Sequence, residues 1–518
     1  MADVTSMLRV GEQAVAGKNW ALARQCFQQV LAVAEDPQAL VHLSYLESMG
    51  GHYRAGLDYA LRAFRVRPRN PALLLKILNR LRNFNQTWAI RELIDQEPGI
   101  SLLDPQVLHA LSAQLSHIGD QTQARHFLDQ ALARKPESSP FLLARAQISI
   151  FLGDFDRAEA DLHACLKLAP RLGAAWWTLS GLRKQTTESN HVDALRRLLS
   201  AAPNDAERSY LGSALHKEYD DLGDIPAACE ALTVANQAKR RQVEYSDAVS
   251  RSLFDRITAI DFSRRPDAPM RDLGFTPVFI VGMFRSGTTL LEQLLGGNPN
   301  LLNAGELYDM PSSLRAATDY QCPTLLDEEM VKRAERADYA LIAESYARGV
   351  GWRAPGYTHV TDKLPPNFLN VGFICKALPQ ARIVHMVRDP VETCFSNLRE
   401  LFSGAGTYSN DQRELAAYYR RYHALMAHWR RQFPGRILDV HYADLTADTA
   451  SVMQRVADHC GLEFLPTMVD PRSGGRSVTT ASAVQVRSPV IRRAVPKWDP
   501  YRAYLQPMIT GLGDLVSP

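Results

Sequence analysis

Gly17, Gly51, Gly119 and Gly153 stand 34, 68 and 34 residues apart, so one 34-residue step passes through all four and skips only the position of Asn85. Pro68, Pro136 and Pro170 keep the same step, each 17 residues after its glycine. Between glycine and proline the small or apolar positions recur as Gly56, Ala60 and Phe64, as Ala124, Leu128 and Leu132, and as Ala158, Leu162 and Leu166. Their offsets differ by four, which places them on one helical face. Glycine allows a left-handed turn between two helices, and proline stops the second. A helix pair of this size cannot bury its apolar face alone, so the first 261 residues are expected to stack as a helical array.

This pattern resembles the tetratricopeptide repeat over about residues 6–190, with a degenerate unit at Asn85 and an atypical final unit around Gly223, Ala228 and the helix through Arg241. The resemblance implies either a plain scaffold or a concave groove holding a peptide, as substrate or partner. No groove residue is singled out by the pattern.

Residues 262–277 carry Pro266, Pro269 and Pro277 among few apolar positions and read as a linker. From 278 to 518 the texture changes to short apolar runs alternating with helical patterns. Strands are expected at 277–281, 357–362, 382–387 and 436–441, and helices at 288–296, 329–349, 367–377, 390–402, 411–431 and 447–460. Strands apolar on both faces that alternate with helices imply a parallel sheet covered by helices.

The segment PVFIVGMFRSGTTLLEQLL (277–295) runs a buried strand into Gly282-x-x-x-x-Gly287-Thr288-Thr289 and then into a helix. This is phosphate-loop spacing: successive backbone N–H groups and the helix dipole favour an anion. Thr288 stands where nucleotide triphosphatases have Lys, whose reach to β and γ phosphates is thereby missing. With Arg285 inside it, the loop suits a shorter anion chain at the 5′ end of a nucleotide. Downstream, the strand 382–387 delivers Arg388 to its carboxyl end, Asp389 and Pro390 open a helix, and Ser396 follows two turns in. Arg388 and Ser396 are placed to meet a second phosphate.

Together these motifs resemble the sulfotransferases that use 3′-phosphoadenosine 5′-phosphosulfate (PAPS), over about residues 275–510. The nearest branch holds the tetratricopeptide-fused bacterial enzymes and the protein-tyrosine sulfotransferases. The resemblance implies an α/β sulfotransferase domain with a P-loop-like donor site. It assigns Arg285, Ser286, Gly287, Thr288 and Thr289 to the 5′-phosphosulfate, and Arg388 and Ser396 to the 3′-phosphate. Ala304-Gly305-Glu306 supplies the general base, and Lys363 of D-K-L-P supplies the transition-state cation. Ser482 and Lys497 in the tail, and Tyr442 in VHYADL, are assigned to the nucleotide, with Ser482 also orienting the sulfuryl group. Phe284 stands where the family's loop usually has Pro.

The expected function is therefore transfer of a sulfuryl group from PAPS to a hydroxyl, leaving adenosine 3′,5′-bisphosphate. Lys363 and Arg285 stabilise the transition state and Glu306 takes the proton. A peptide tyrosine held by the array is one acceptor, and sugars, lipids and small phenols are others. The competing classes are an ATP-dependent P-loop phosphotransferase and a repeat scaffold with a dead nucleotide domain.

Composition narrows the remaining classes. Lys and Arg number 59 against 56 Asp and Glu, a net charge of +3 that fits no bulk polycation on nucleic acid or membrane. No C-x-x-C pair or H-E-x-x-H pattern occurs, so no disulfide framework and no metal are expected. No apolar run approaches a membrane span, and a cytoplasmic setting is expected. A homodimer is left open.

Overall fold

The computed structural model describes residues 4–67, 70–96, 104–265, 267–402, 404–473, 484 and 496–516. The N-terminal half is a run of helical hairpins, Val4–Ala16 with Trp20–Leu31, Pro37–Met49 with Tyr53–Val66, Pro71–Asn83 with Thr87–Asp95, Pro105–His117 with Gln121–Arg134, and Ser139–Leu152 with Phe155–Leu168. The turns at Gly51, Gly119 and Gly153 are left-handed, with φ of 83°, 96° and 84°. Asn85, at the skipped position, takes the same conformation at φ 54°, which Asn tolerates better than most residues. The first turn differs from the sequence reading: Lys18 at φ 56°, not Gly17, is its left-handed residue. Pro136 and Pro170 follow helices ending at Arg134 and Leu168, as expected of helix stops, while Pro68 lies outside the described residues. A further element keeps the step. Asp36, Asn70 and Asp104, each 34 residues from the next, cap helices that open on Pro37, Pro71 and Pro105.

The C-terminal half is built on five parallel strands in the order β2–β3–β1–β4–β5, where β1 is Thr276–Gly282, β2 Leu301–Leu302, β3 His359–Asp362, β4 Arg382–Val387 and β5 Ile437–His441. Side-chain alternation divides the sheet between two cores. Val278, Ile280, Val384, Met386 and Val440 pack under the helices Thr288–Leu295 and Thr449–Cys460. Phe279, Val281 and Ile383 face a larger core with Tyr346, Phe373, Tyr422 and Trp429. The expected helix over 329–349 is two helices, Glu328–Ala334 and Tyr339–Gly351, because Asp338 caps a new start. The stretch over 367–377 opens as a 3-10 turn, Pro365–Asn370, before the helix Val371–Ala377. The helix Asp309–Thr318 and the two-residue β2 have no counterpart in the sequence reading.

The two halves share structure. Ala228, Leu232, Phe254 and Ile257, from the last helices of the N-terminal half, belong to the larger core of the sheet domain. Phe262, in the segment read as a linker, is fully buried against Phe373, Trp429 and Phe433. The hairpins around Asn85 dock on the sheet domain from another side. Tyr53 Oη lies 2.9 Å from Ser312 Oγ, Arg54 donates to the carbonyls of Ala316 and Ala317 at 2.8 Å, and Thr87 Oγ1 accepts from Arg353 at 2.9 Å. The degenerate repeat is thus a repeat that carries this contact. Among the described residues no helix is long and apolar enough to cross a membrane.

Candidate active site

Each strand of the sheet delivers a sequence-predicted site residue just beyond its carboxyl end. β1 runs into the loop 282–289, β3 ends one residue before Lys363, β4 one before Arg388 and β5 one before Tyr442, while β2 leads within four residues to Glu306. This is the edge at which open α/β sheets bind ligands.

The loop after β1 is shaped by backbone that side chains would obstruct. A Cβ on Gly282 would lie 2.8 Å from the carbonyl of Met386, and one on Gly287, at φ 108°, would lie 2.6 Å from the Tyr442 ring. Gly287 also begins the helix Thr288–Leu295 with no side-chain cap, and the amino end of a helix favours an anion. Ser286 Oγ is buried and has no hydrogen-bond partner among the described residues. A buried hydroxyl is normally satisfied, and a phosphate or sulfate oxygen would satisfy this one. The cradle therefore fits an anionic ligand.

Beside the loop, Arg388 donates from Nη1 to the carbonyl of Arg285 at 3.2 Å and pairs with Glu392 at 3.0 Å. Its guanidinium lies 4.4 Å from the centre of the Tyr442 ring. Asp389 caps the following helix, Pro390–Leu398, which carries Ser396 to within 3.3 Å of Arg285 Nε. Loop, Arg388, Ser396 and Tyr442 thus line one place. Arg285, expected at the sulfuryl oxygens, has φ 65° and its guanidinium lies 3.7 Å from Glu400, toward the Ser396 side. Burial lowers its pKa and raises that of Glu400, against the mutual attraction of the pair. Phe284 packs on Phe402 at 5.0 Å and its carbonyl accepts from Asn397 at 2.7 Å, so a side-chain amide fixes the loop here.

Lys497 sits near Asp220 and His216 of the helix Asp205–Leu222, both of which feel its charge; Asp220 in turn pairs with Arg399 at 3.4 Å. Ser482 lies outside the described residues.

On the other side of β1, Lys363 is fully buried and its Nζ lies 2.9 Å from Glu306 Oε1 and 4.0 Å from Glu292 Oε2. The Glu306 side chain is 30% exposed, so one edge of it is open to solvent. Asp362 points to the opposite face, bonded to Tyr346 and Asn367, as alternation requires of a structural neighbour. Sequence reasoning passed over Glu292. Its signal was a single carboxylate in a helix, TTLLEQLL, whose eight residues are all buried.

Residues 277–466 match the family model described as the sulfotransferase family. This segment is similar to the sulfotransferase family. A protein of Aquifex aeolicus described as uncharacterized is 30% identical over 406 residues, covering 75% of this chain and 52% of its own length. The match thus spans about half of that relative. A putative protein-tyrosine sulfotransferase of Caenorhabditis briggsae is 23% identical over 227 residues, 43% of this chain and 80% of its own. Among solved structures, the sulfotransferase domain of a Synechococcus olefin synthase is 20% identical, covering 48% of this chain and 97% of its own with a TM-score of 0.29. A tetratricopeptide repeat protein of Parabacteroides merdae is 13% identical, covering 45% and 93%, with a TM-score of 0.32.

Proposed function

We propose that the chain moves a sulfuryl group from PAPS to an acceptor hydroxyl, with a peptide tyrosine as the favoured acceptor. The observation that carries this reading is the contact between Arg388 and the Arg285 carbonyl, which sets a second cationic group against the phosphate loop. Thr288 in place of the triphosphatase Lys argues against ATP. When bound, PAPS supplies an activated sulfuryl group and a bisphosphate leaving group.

The loop amides from Ser286 to Thr289, with the Ser286 hydroxyl, would hold the 5′ anion. Arg388 and Ser396 would hold the 3′-phosphate, and Tyr442 would brace Arg388. Arg285 would contribute positive charge from the floor between the two. Lys497 and Ser482 keep their nucleotide roles as proposals. Lys363 offers a fixed ammonium in a site closed to water, where charge stabilisation is strongest. Glu306, exposed on its outer edge, takes the proton of the acceptor hydroxyl, a task worth roughly 10²–10⁴-fold in rate.

The array supports a peptide acceptor. Tyr308, two residues past Glu306, lies 6.4 Å ring to ring from His117 of the repeat helix Pro105–His117. The contact joins the array to the loop that carries Glu306, and the reading places the acceptor peptide along the repeats beside it. The test is incubation with ³⁵S-labelled PAPS and a cell lysate, with calorimetry of adenosine 3′,5′-bisphosphate against ATP and magnesium. Label in protein as tyrosine sulfate is the expected result. Tighter binding of ATP–magnesium with no transferred label would overturn the reading.

A further inference from the structure

Glu292 is a carboxylate in the core of the sheet domain. It is 2% exposed on a helix whose residues are all buried, and burial raises its carboxyl pKa even with Lys363, Thr361 and the Gly305 amide favouring the charge. A buried carboxylate is costly unless it is paired and hydrogen-bonded, so its partners show what it holds together.

Its contacts define one. Oε1 accepts from the Gly305 amide at 2.9 Å and from Thr361 Oγ1 at 2.8 Å. Thr361 Oγ1 in turn accepts from the Ala304 amide at 2.9 Å, and the Lys363 amide donates to the Gly305 carbonyl at 3.0 Å. The loop carrying Glu306 and the strand end carrying Lys363 are therefore stitched together through a side chain of the phosphate-loop helix. Thr361 and Lys363 share a strand face, which is why a single carboxylate meets both. Gly305 takes φ 77°, a left-handed turn that its bonded amide holds in place.

We propose that Glu292 is a positioning residue for the transfer step, an inference resting on the sulfotransferase reading above. It holds Glu306 and Lys363 in register with the donor loop, and it stays as counter-charge to Lys363 while Glu306 is protonated. In that step the acceptor O–H bond breaks, the proton passes to a Glu306 oxygen, the freed electron pair forms the new O–S bond, and the bond from sulfur to the 5′-phosphate oxygen breaks, its electron pair leaving with adenosine 3′,5′-bisphosphate. Glu306 then no longer neutralises the buried ammonium. Glu292, 4.0 Å away, still does.

The test uses the full chain. Glu292→Gln keeps the size and one acceptor oxygen but removes the charge. It is expected to slow ³⁵S transfer from saturating labelled PAPS into a fixed cell lysate by tenfold or more, with bisphosphate affinity by calorimetry within twofold of wild type. Because Glu292 acts through Lys363, Glu292→Gln added to Lys363→Ala should slow the residual rate by less than twofold. Thr361→Val, which removes one bond of the network, should cost several-fold and serves if Glu292→Gln does not fold. Wild-type transfer rates in these variants would overturn the proposal. So would bisphosphate affinity falling in step with rate, since Glu292 would then merely support the phosphate loop. A wild-type chain that transfers no label is a different result, and it removes the sulfotransferase reading together with this one.

Discussion

Replacing Arg388 by alanine separates the two anion sites of the proposed nucleotide pocket. The guanidinium is held on three sides, by the Arg285 carbonyl, by Glu392 and by the Tyr442 ring, so it is set before any ligand arrives and little ordering cost is left at binding. Losing a charge-assisted hydrogen bond to a phosphate costs about 1.5–3 kcal/mol. That range corresponds to about a 10- to 150-fold rise in Kd for adenosine 3′,5′-bisphosphate. The structure adds a second contribution. Glu392, whose side chain is 14% exposed, loses its partner and leaves an unpaired carboxylate beside the phosphate, which pushes the effect to the upper end. The double variant Arg388→Ala, Glu392→Gln should recover part of that excess, and Arg388→Lys should fall between, since ammonium has neither the planar stack nor the fork. Calorimetry with bisphosphate and with 5′-AMP on the same proteins decides the matter. 5′-AMP lacks the 3′ group and should bind each variant as it binds wild type. Equal losses for both ligands would refute the assignment.

Glu306→Gln and Lys363→Ala should keep bisphosphate affinity while reducing transfer, by roughly 10²–10⁴-fold for the base; retained transfer would remove either from the chemistry. Gly287→Ala should abolish bisphosphate binding with little loss of secondary structure by circular dichroism, because the added Cβ would stand 2.6 Å from the Tyr442 ring at φ 108°. Acidification should loosen the contact between the halves. Burial, then the charges of Arg82 and Arg353, push the pKa of His117 from 6.5 to about 4. Unfolded chains thus bind more protons than folded ones between those values, and stability falls as pH drops through that window, by at most about 3 kcal/mol. Thermal unfolding from pH 7 to pH 4.5 should show this loss, and His117→Gln should flatten it; an unchanged slope would remove His117 as its source.

The repeat period, the parallel sheet and the phosphate-loop turn were legible because each rests on local regularities: a 34-residue recurrence, both-face apolar runs, and glycines where side chains collide. The strand-end positions of Arg388 and Lys363 were legible for a related reason, since each follows directly on a strand that announces itself. β2 was not, because two residues carry no period, and the helix Asp309–Thr318 buries the polar Asp309, Ser312 and Ser313 beside its apolar residues, so its buried face does not read as an apolar one. Glu292 looked like one more residue of a core helix until Gly305 and Thr361, 13 and 69 positions away, were brought to it. The docking of Tyr53 and Thr87 is likewise a product of contacts more than 250 residues apart in the chain, beyond any window of local pattern.

Phe262 bears on anyone wishing to excise a minimal enzyme. A fragment beginning at residue 278, after the proline-marked joint, would lose this ring and open a socket of Phe373, Trp429 and Phe433, a penalty of about 3–5 kcal/mol for one large aromatic alone. Starting instead near Ile225 would retain Ala228, Leu232, Phe254 and Ile257 as a lining for the same wall. The workable cut for producing the sheet domain alone therefore falls inside what the sequence shows as repeats.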